Sequence, residues 1–468
     1  MGESSFSRFS PIIYSSVIGK VSGFMNKQDL TVGNPLTKLI LFSLPLVGGS
    51  LFQQLYNFID TLIVGRLIGI DAVAAVGAYY PLSFLIIGFI QGSSIGFSIP
   101  LSQSVGAHDE LATKQFFTNG VWLSVIYAIV LTPLMIVVAS PLLKGLNTPT
   151  NIMSMALTFT TISFIGIPAN ILYNYSAAAL RAFGDSIHPL HFLIISLVLN
   201  VILDLVFILQ FHMGVAGAAW ATVISEFVGG LLNIALFFVG HSKLSLQKAH
   251  WRFSLPHVRK MSVIGIPMGF EYCVSAIGAI IMQDAINRLG SSIVAAQSAA
   301  DKIRQLFTLP MESVGAAMAT YQAQNFGAKN RQRIKRGITN GVLIQVAYSI
   351  ISFIVVNLAK VPLVTMVLGT DSPATTKSAV EYLTIISFFF PIHGLLMIFR
   401  NTLQGWGHSL YAIISGFGEL LGRSIGSFIA LGSAGFVAIC YSNPIAWAIS
   451  LVYCVFTVWQ LFIRDELS

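Results

Sequence analysis

Charge is what this chain has least of. Only 9% of its 468 residues are Asp, Glu, Lys or Arg, against about 25% in a soluble domain. With 55% of the residues apolar and 34 of them Phe, too few ionic side chains remain to coat a water-facing surface. That excludes a soluble enzyme, a disordered chain and a secreted disulfide scaffold, and leaves a bilayer as the solvent. Cysteine is scarce as well. Cys273, Cys440 and Cys454 lie in apolar stretches without CxxC spacing, so they read as core packing and not as a disulfide framework or a zinc site. Neither a nucleophile–base constellation nor a phosphate loop is found, which excludes an ATP-driven pump working from this chain alone. In a soluble protein a net charge of +8 would suggest nucleic acid. In a membrane protein it marks loops kept on the cytoplasmic side, and no nucleic-acid partner is expected.

What the sequence has in quantity is long apolar runs. A helix needs about 20 apolar residues to cross roughly 30 Å of hydrocarbon. About twelve such runs stand near 37–65, 73–104, 116–144, 152–180, 188–211, 214–240, 259–287, 293–323, 338–368, 379–404, 409–431 and 435–463. An even number puts both termini on one side. Basic clusters follow the sixth run (Lys243, Lys248, Arg252, Arg259, Lys260) and the eighth (Lys329, Arg331, Arg333, Lys335, Arg336), whereas the odd-numbered loops are short and poor in Lys and Arg. The termini are therefore expected in the cytoplasm. Residues 1–35 contain no run of spanning or signal-peptide length and read as an N-terminal extension, with Met25 an alternative start.

An internal repeat organises the runs. SLPLVGGSLFQQ (43–54) aligns with GIPMGFEYCVSA (265–276), placing Pro45 on Pro267. Asn119-Gly120 falls on Asn340-Gly341, and LRAFGDS (180–186) on LQGWGHS (403–409), so separations of 221 to 223 hold across most of each half. Six spans per half means that both halves enter the membrane from the same side. The expected fold is an all-α integral membrane protein: about 12 transmembrane helices in two parallel six-helix lobes, related by a pseudo-two-fold axis along the membrane normal. The expected divisions are an N-terminal lobe over 36–240, a cytoplasmic inter-lobe loop over 241–258 and a C-terminal lobe over 259–468. Two such bundles can rock about a central cavity.

Ionisable groups inside a span cost at least about 2.5–3.5 kcal/mol on insertion scales, so each is a functional candidate. In the first span Gln53, Tyr56, Asn57 and Asp60 recur at offsets of three, four and seven on one helical face. Asn200 and Asp204 stand four apart late in the fifth span, and the sixth supplies Thr222. A carboxylate buried in low dielectric can take up a proton near neutral pH, and the same hard oxygens can hold Na⁺. The alternative for Asp60 and Asp204 is snorkelling into water from span ends. In the second half Glu271, Asp284, Asp301, Lys302, Arg304, Glu312, Arg400, Glu419 and Arg423 mix both signs, a pattern suited to structural pairing.

Other apparent motifs carry no chemistry. Gly416-Phe417-Gly418 has no preceding strand and lies inside a span, so it does not read as a dinucleotide loop. His188 and His191 flank Pro189, and His393, between Pro391 and Gly394, is expected to bond a freed carbonyl instead of a metal. Gly92 and Gly96, like Gly265 and Gly269, have the small-xxx-small spacing that lets helices approach closely.

From about Asp29 onward the sequence resembles the multidrug and toxic compound extrusion family. The most specific stretches are LTVGNPLTKLILFSLPLVGGSLFQQLYNFIDTLIVGRLIG (30–69), ALRAFGDSIHPL (179–190) and LNVILD (199–204). The resemblance implies a secondary antiporter of two parallel six-helix lobes. In the prokaryotic branch it is similar to, it implies a cation site of Asp60, Asn200 and Asp204 in the first lobe, with Tyr56 and Thr222 in support. Glu271 sits closer to Pro267 than the second-lobe Glu of another branch, and His408 stands where the first repeat has Asp185.

The resulting expectation is an exporter, and not an enzyme, that exchanges an amphiphilic, cationic drug or metabolite for H⁺ or Na⁺ by alternating access. It needs no cofactor, acts as a monomer among membrane lipids, and sits as a multi-pass protein in the inner or plasma membrane. If Na⁺ is the coupling ion, Asp60, Asn200, Asp204 and Thr222 would ligate it. Gln53, Asn57, Asn174 and Asp284 are the candidate solute contacts. A lipid-linked precursor flippase is the nearest rival, and a cavity dominated by basic residues would favour it. A channel would show unitary conductance.

Overall fold

Hydrocarbon offers no partner to a bare N–H or C=O, so a chain this apolar closes its backbone hydrogen bonds within each segment, as helices. The computed structural model describes residues 28–239, 245–369 and 373–464. Most of the expected 1–35 extension, with Met25, lies outside the described residues, as does Lys243 of the inter-lobe cluster. The first half forms α1 (Pro35–Leu67), α2 (Ile70–Gly106), α3 (Glu110–Gly145), α4 (Thr150–Ile165), α5 (Ile167–Ala182), α6 (Ile187–Leu205) and α7 (Val215–Val239). The second forms α8 (Leu255–Arg288), α9 (Ser291–Gly327), α10 (Arg331–Leu368), α11 (Pro373–Phe388), α12 (Phe390–Gly405), α13 (Ser409–Ile429) and α14 (Gly435–Ile463). No strand is formed among the described residues.

The fourth and tenth spans, read as single runs, are each a bent pair. α4 meets α5 at 46° and α11 meets α12 at 48°. Each break precedes a proline in the first turn of the new helix, Pro168 and Pro391, whose missing N–H and ring prevent the preceding helix from continuing. With each pair counted once, ten spans are apolar enough to cross a membrane. α9 and α13 complete the twelve. They are less apolar because they carry Asp301, Arg304 and Glu312, and Glu419 and Arg423, whose partners lie inside the bundle.

The repeat is reproduced element by element. Asp109 caps α3 through the Ala112 N–H at 2.9 Å, and its counterpart Asn330 caps α10 through the Arg333 N–H at 3.1 Å. His108 and Lys329, before those caps, share a left-handed φ of 54° and 53°. Short π-helical turns end α6 (Val206–Gln210) and α13 (Ala430–Ala434).

The halves meet along α2 and α8, and along α1 and α9. A side chain on Gly96 would strike the Gly265 backbone, and one on Gly92 the Met268 carbonyl, so the small-residue spacing does bring α2 and α8 together. At mid-helix Ser50 reaches Ser313 at 3.0 Å and Gln54 reaches Gln305 at 3.1 Å. The seal is at the end bearing the even-numbered loops. There Gln103 donates to the Gly405 carbonyl at 3.2 Å and, symmetrically, Gln324 donates to the Ala182 carbonyl at 2.9 Å. Gly106 lies against the Gln324 backbone and Gly327 against that of Gln103, closer than any larger residue allows.

Candidate functional site

Three helices of the first half bring polar groups together. Tyr56 and Asp60 lie one turn apart on α1, and Asn200 and Asp204 one turn apart on α6. Thr222 sits on α7 between them. The Tyr56 hydroxyl is 3.1 Å from Thr222 Oγ1, and Asn200 Nδ2 donates to the same oxygen at 3.3 Å. Thr222 in turn donates to the Ala218 carbonyl at 3.2 Å. The Asp60 and Asp204 carboxyl groups are close neighbours across α1 and α6.

What distinguishes this cluster is an excess of acceptors. Asn200 is 1% and Asp204 0% exposed. Asp60 Oδ1, Asn200 Oδ1 and both Asp204 carboxylate oxygens are buried without any hydrogen-bond donor. In folded proteins buried polar atoms are almost always partnered. Four hard oxygens from three side chains on two helices fit a bound proton or small cation, which would supply the missing positive charge. Among the described residues no group of three or more His, Cys, Asp or Glu has the arrangement of a metal centre.

Sequence reasoning missed a third carboxylate. Glu226 follows Thr222 by one turn of α7 and is half-buried. Asn170 Nδ2, on α5, donates to its two oxygens at 3.1 and 3.2 Å, and Asn174 Nδ2 donates to Asn170 Oδ1 at 3.1 Å. No Lys or Arg hydrogen-bonds to Glu226 among the described residues. The four-residue step from Thr222 was a readable signal, since it repeats the spacing that linked Tyr56 to Asp60. Of the other candidates, Asn174 joins this chain of amides. Gln53 and Asn57 lie on an exposed flank of α1. Asp284 is not brought to the cluster. It is exposed on the last turn of α8, paired with Arg288 at 3.0 Å.

The second half is built oppositely, with its charges paired. Arg400 reaches Glu271 at 3.0 Å and Glu419 at 2.7 Å, and Arg423 reaches Glu419 at 3.2 Å. Gln404 donates to Glu271 at 2.8 Å and Ser275 to Glu419 at 3.0 Å. Arg304 closes on Asp301 at 2.8 Å, and the Tyr382 hydroxyl donates to Asp301 at the same distance. His393 departs from expectation. Its ring nitrogens bond no carbonyl. Nε2 is 3.7 Å from Glu312, and the ring packs on Trp447 with centroids 4.5 Å apart. Near the even-loop end the Asp185 carboxylate accepts from the His188 backbone N–H at 3.1 Å and its side chain at 2.6 Å, so this pair caps α6.

The family model MatE matches residues 45–206 and 267–429, once in each half and in the register of the repeat. The chain is 29% identical over 403 residues to the "Probable multidrug resistance protein YpnP" of Bacillus subtilis (strain 168), covering 83% of this chain and 87% of that protein. It is 26% identical over 423 residues to the "Probable multidrug resistance protein YoeA" of the same organism, covering 88% and 91%. Its fold matches a solved outward-facing conformation of a multidrug resistance MATE family transporter of the MOP superfamily. The TM-score is 0.86 at 20% identity, with 94% of this chain and 98% of that one covered.

Proposed function

Because this chain belongs to the MatE family of multi-pass membrane transporters, we propose that it is a secondary antiporter, exporting amphiphilic organic cations in exchange for inward movement of H⁺ or Na⁺. The observation that carries this reading is the set of donorless oxygens on Asp60, Asn200 and Asp204. A cation bound there joins α1 to α6, and its release removes the charge that lets the two carboxylates stay together. An exchange cycle needs ion and solute to favour opposite-facing states, since only differential affinity shifts an equilibrium between them. Tyr56 and Thr222 orient Asn200 toward the ion.

In this reading the lobes span 36–240 and 259–468, joined by the 241–258 loop, with both termini cytoplasmic and the protein acting as a monomer. The sealed even-loop end is then the cytoplasmic end. Glu226 offers a second negative charge for the positive centre of a solute, which favours organic cations over an anionic lipid-linked precursor.

The test is export of a cationic dye such as ethidium from proteoliposomes, with pH and Na⁺ gradients imposed separately. Flux should follow one gradient, and Asp60→Asn or Asp204→Asn should abolish that dependence in protein that still folds. Flux indifferent to both gradients, or two Asn variants working at the wild-type rate, would sink the proposal.

A further inference from the structure

At the sealed end a cavity of about 610 Å³ opens between α2, α8, α9 and the turn after α12. Every contributing segment ends at an even-numbered loop, so the cavity sits at one membrane boundary. Its walls come from both halves: Gln103 from the first, and Arg259, Lys260, Val263, Phe326 and Trp406 from the second. Among the described residues Arg259 and Lys260 are its only charged lining residues. Both are exposed, and neither forms a salt bridge among the described residues. Lys260 Nζ stands 5.4 Å from the centroid of the Phe116 ring. Trp406, 3% exposed, and Phe326 make the floor apolar.

The cavity continues onto an apolar track. Val263 lies one turn beyond Arg259 on the same side of α8, and Phe270 and Ile277 follow at seven-residue steps. They are 54%, 49% and 45% exposed. Gly265 and Met268 on the opposite side pack on α2, and Phe270 borders that seam, its ring 5.3 Å from that of Phe89 on α2. Two cations without a carboxylate partner among the described residues, at a membrane boundary and followed by an exposed apolar stripe running toward the bilayer interior, complement one molecule: a negative headgroup with an acyl chain. A free phosphate would use the cations and leave the stripe and the apolar floor without a role.

We infer that this groove binds an anionic glycerophospholipid, its phosphate held by Arg259 and Lys260 and one chain laid along Val263, Phe270 and Ile277. The site is independent of the ion cluster in the first half. Because Gln103 both lines the groove and bonds the Gly405 carbonyl across the halves, the lipid adds to the contacts that must part for this end to open. It therefore favours the conformation seen here.

Delipidated full-length protein, titrated with phosphatidylglycerol or phosphatidylcholine of identical chains, tests this by native mass spectrometry. Two basic side chains at an anionic surface imply a preference for phosphatidylglycerol of roughly 30-fold. In R259Q/K260Q the ratio should fall toward one while phosphatidylcholine binding is unchanged, and in R259K/K260R the preference should persist. The wild-type ratio stands as a test even if the Gln variant does not fold. Equal retention of both lipids by the wild type, or an undiminished preference in folded R259Q/K260Q, overturns the proposal. So does displacement of phosphatidylglycerol by millimolar inorganic phosphate, which would make the groove a phosphate site.

Discussion

Arg423 on α13 stands at the place in the second half that Asn200 on α6 holds in the first, and each bonds the counterpart residue of the following span. Asn200 Nδ2 donates to Thr222 Oγ1 at 3.3 Å, and Arg423 Nε donates to Asn443 Oδ1 at 3.0 Å. One geometry thus serves two electrostatic purposes. The neutral amide leaves the carboxylates of the first half unanswered, whereas the guanidinium answers Glu419 within its own half. Asp204 has Ser427 as its counterpart, so the second half lacks the carboxylate as well. The repeat's symmetry survives in backbone and contact pattern, and the two halves differ in how their charges are answered.

This division makes a prediction about stability. An ionised carboxylate without donors is destabilising in the interior. Asp204→Asn should therefore leave the thermal midpoint unchanged or raise it when the coupling ion is absent, although transport is lost. Wild-type protein should be stabilised by the coupling ion, and Asp204→Asn should not. Differential scanning fluorimetry in detergent, with pH and Na⁺ varied separately, reads both. A large fall in midpoint for Asp204→Asn would mean that the carboxylate is a structural partner.

Arg400 is the opposite case. It touches two carboxylates, and removing one partner of a buried ionic network costs roughly 3–5 kcal/mol because the remaining charges are stranded. Arg400→Gln should lower the midpoint sharply, and adding Glu271→Gln should recover part of the loss. If the double variant is no better than the single one, Glu271 is not compensated by Arg400.

Glu226 should matter to the solute more than to the ion. It is held by amides alone, one turn deeper on α7 than Thr222. Glu226→Gln keeps the shape and removes the charge, so binding of an organic cation should weaken by roughly tenfold, the worth of one charged hydrogen bond. Whatever transport remains should respond to the gradient as before. Loss of gradient response with unaltered dye affinity would instead move Glu226 into the coupling site.

Much of this was legible in the sequence because membranes restrict the possibilities. Apolar runs fixed the helices, and Asp60, Asn200 and Asp204 were visible because charge in a span is rare. The two breaks were harder to see: Pro168 and Pro391 lie in runs apolar enough to read as continuous, and helices with internal prolines, such as α1 with Pro45, do continue here. The pairing of Arg400 with Glu271 and Glu419 was beyond reach, since it joins three helices whose rotations only packing decides. Glu226 was within reach by the four-residue rule.

Orientation can be checked at Ala249, an exposed residue in the inter-lobe loop. In a background without Cys273, Cys440 and Cys454, Ala249→Cys should resist a membrane-impermeant maleimide in intact cells. It should react in inverted vesicles. Labelling of intact cells would reverse the topology, and with it the side on which the sealed end lies.

The last prediction concerns how the sealed end is released. Residues 28–33 cross it as a strap. Leu30 is fully buried, its N–H donating to Gln324 at 3.1 Å and its carbonyl accepting from Arg333 at 2.8 Å. Arg333 also donates to the Gly33 carbonyl at 2.7 Å and to Asn325 at 3.0 Å. On the other side the Gln28 N–H donates to the Gly184 carbonyl at 3.2 Å. Gly184, at φ 83°, has no room for a side chain against Gln28. The strap is therefore fastened to the first half at Gly184 and to the second at Arg333, and the even-loop end cannot part with both fastenings made. Arg333→Gln removes the shortest bonds of the second fastening, leaving Leu30 on Gln324 and Asn325, and does so at a partly exposed position, so the helices should remain folded. Spin labels at the loop ends of α2 and α9 should then show a second, longer distance population that is minor in the wild type. If the distance distribution is unchanged while transport is normal, the strap follows the motion and does not restrain it.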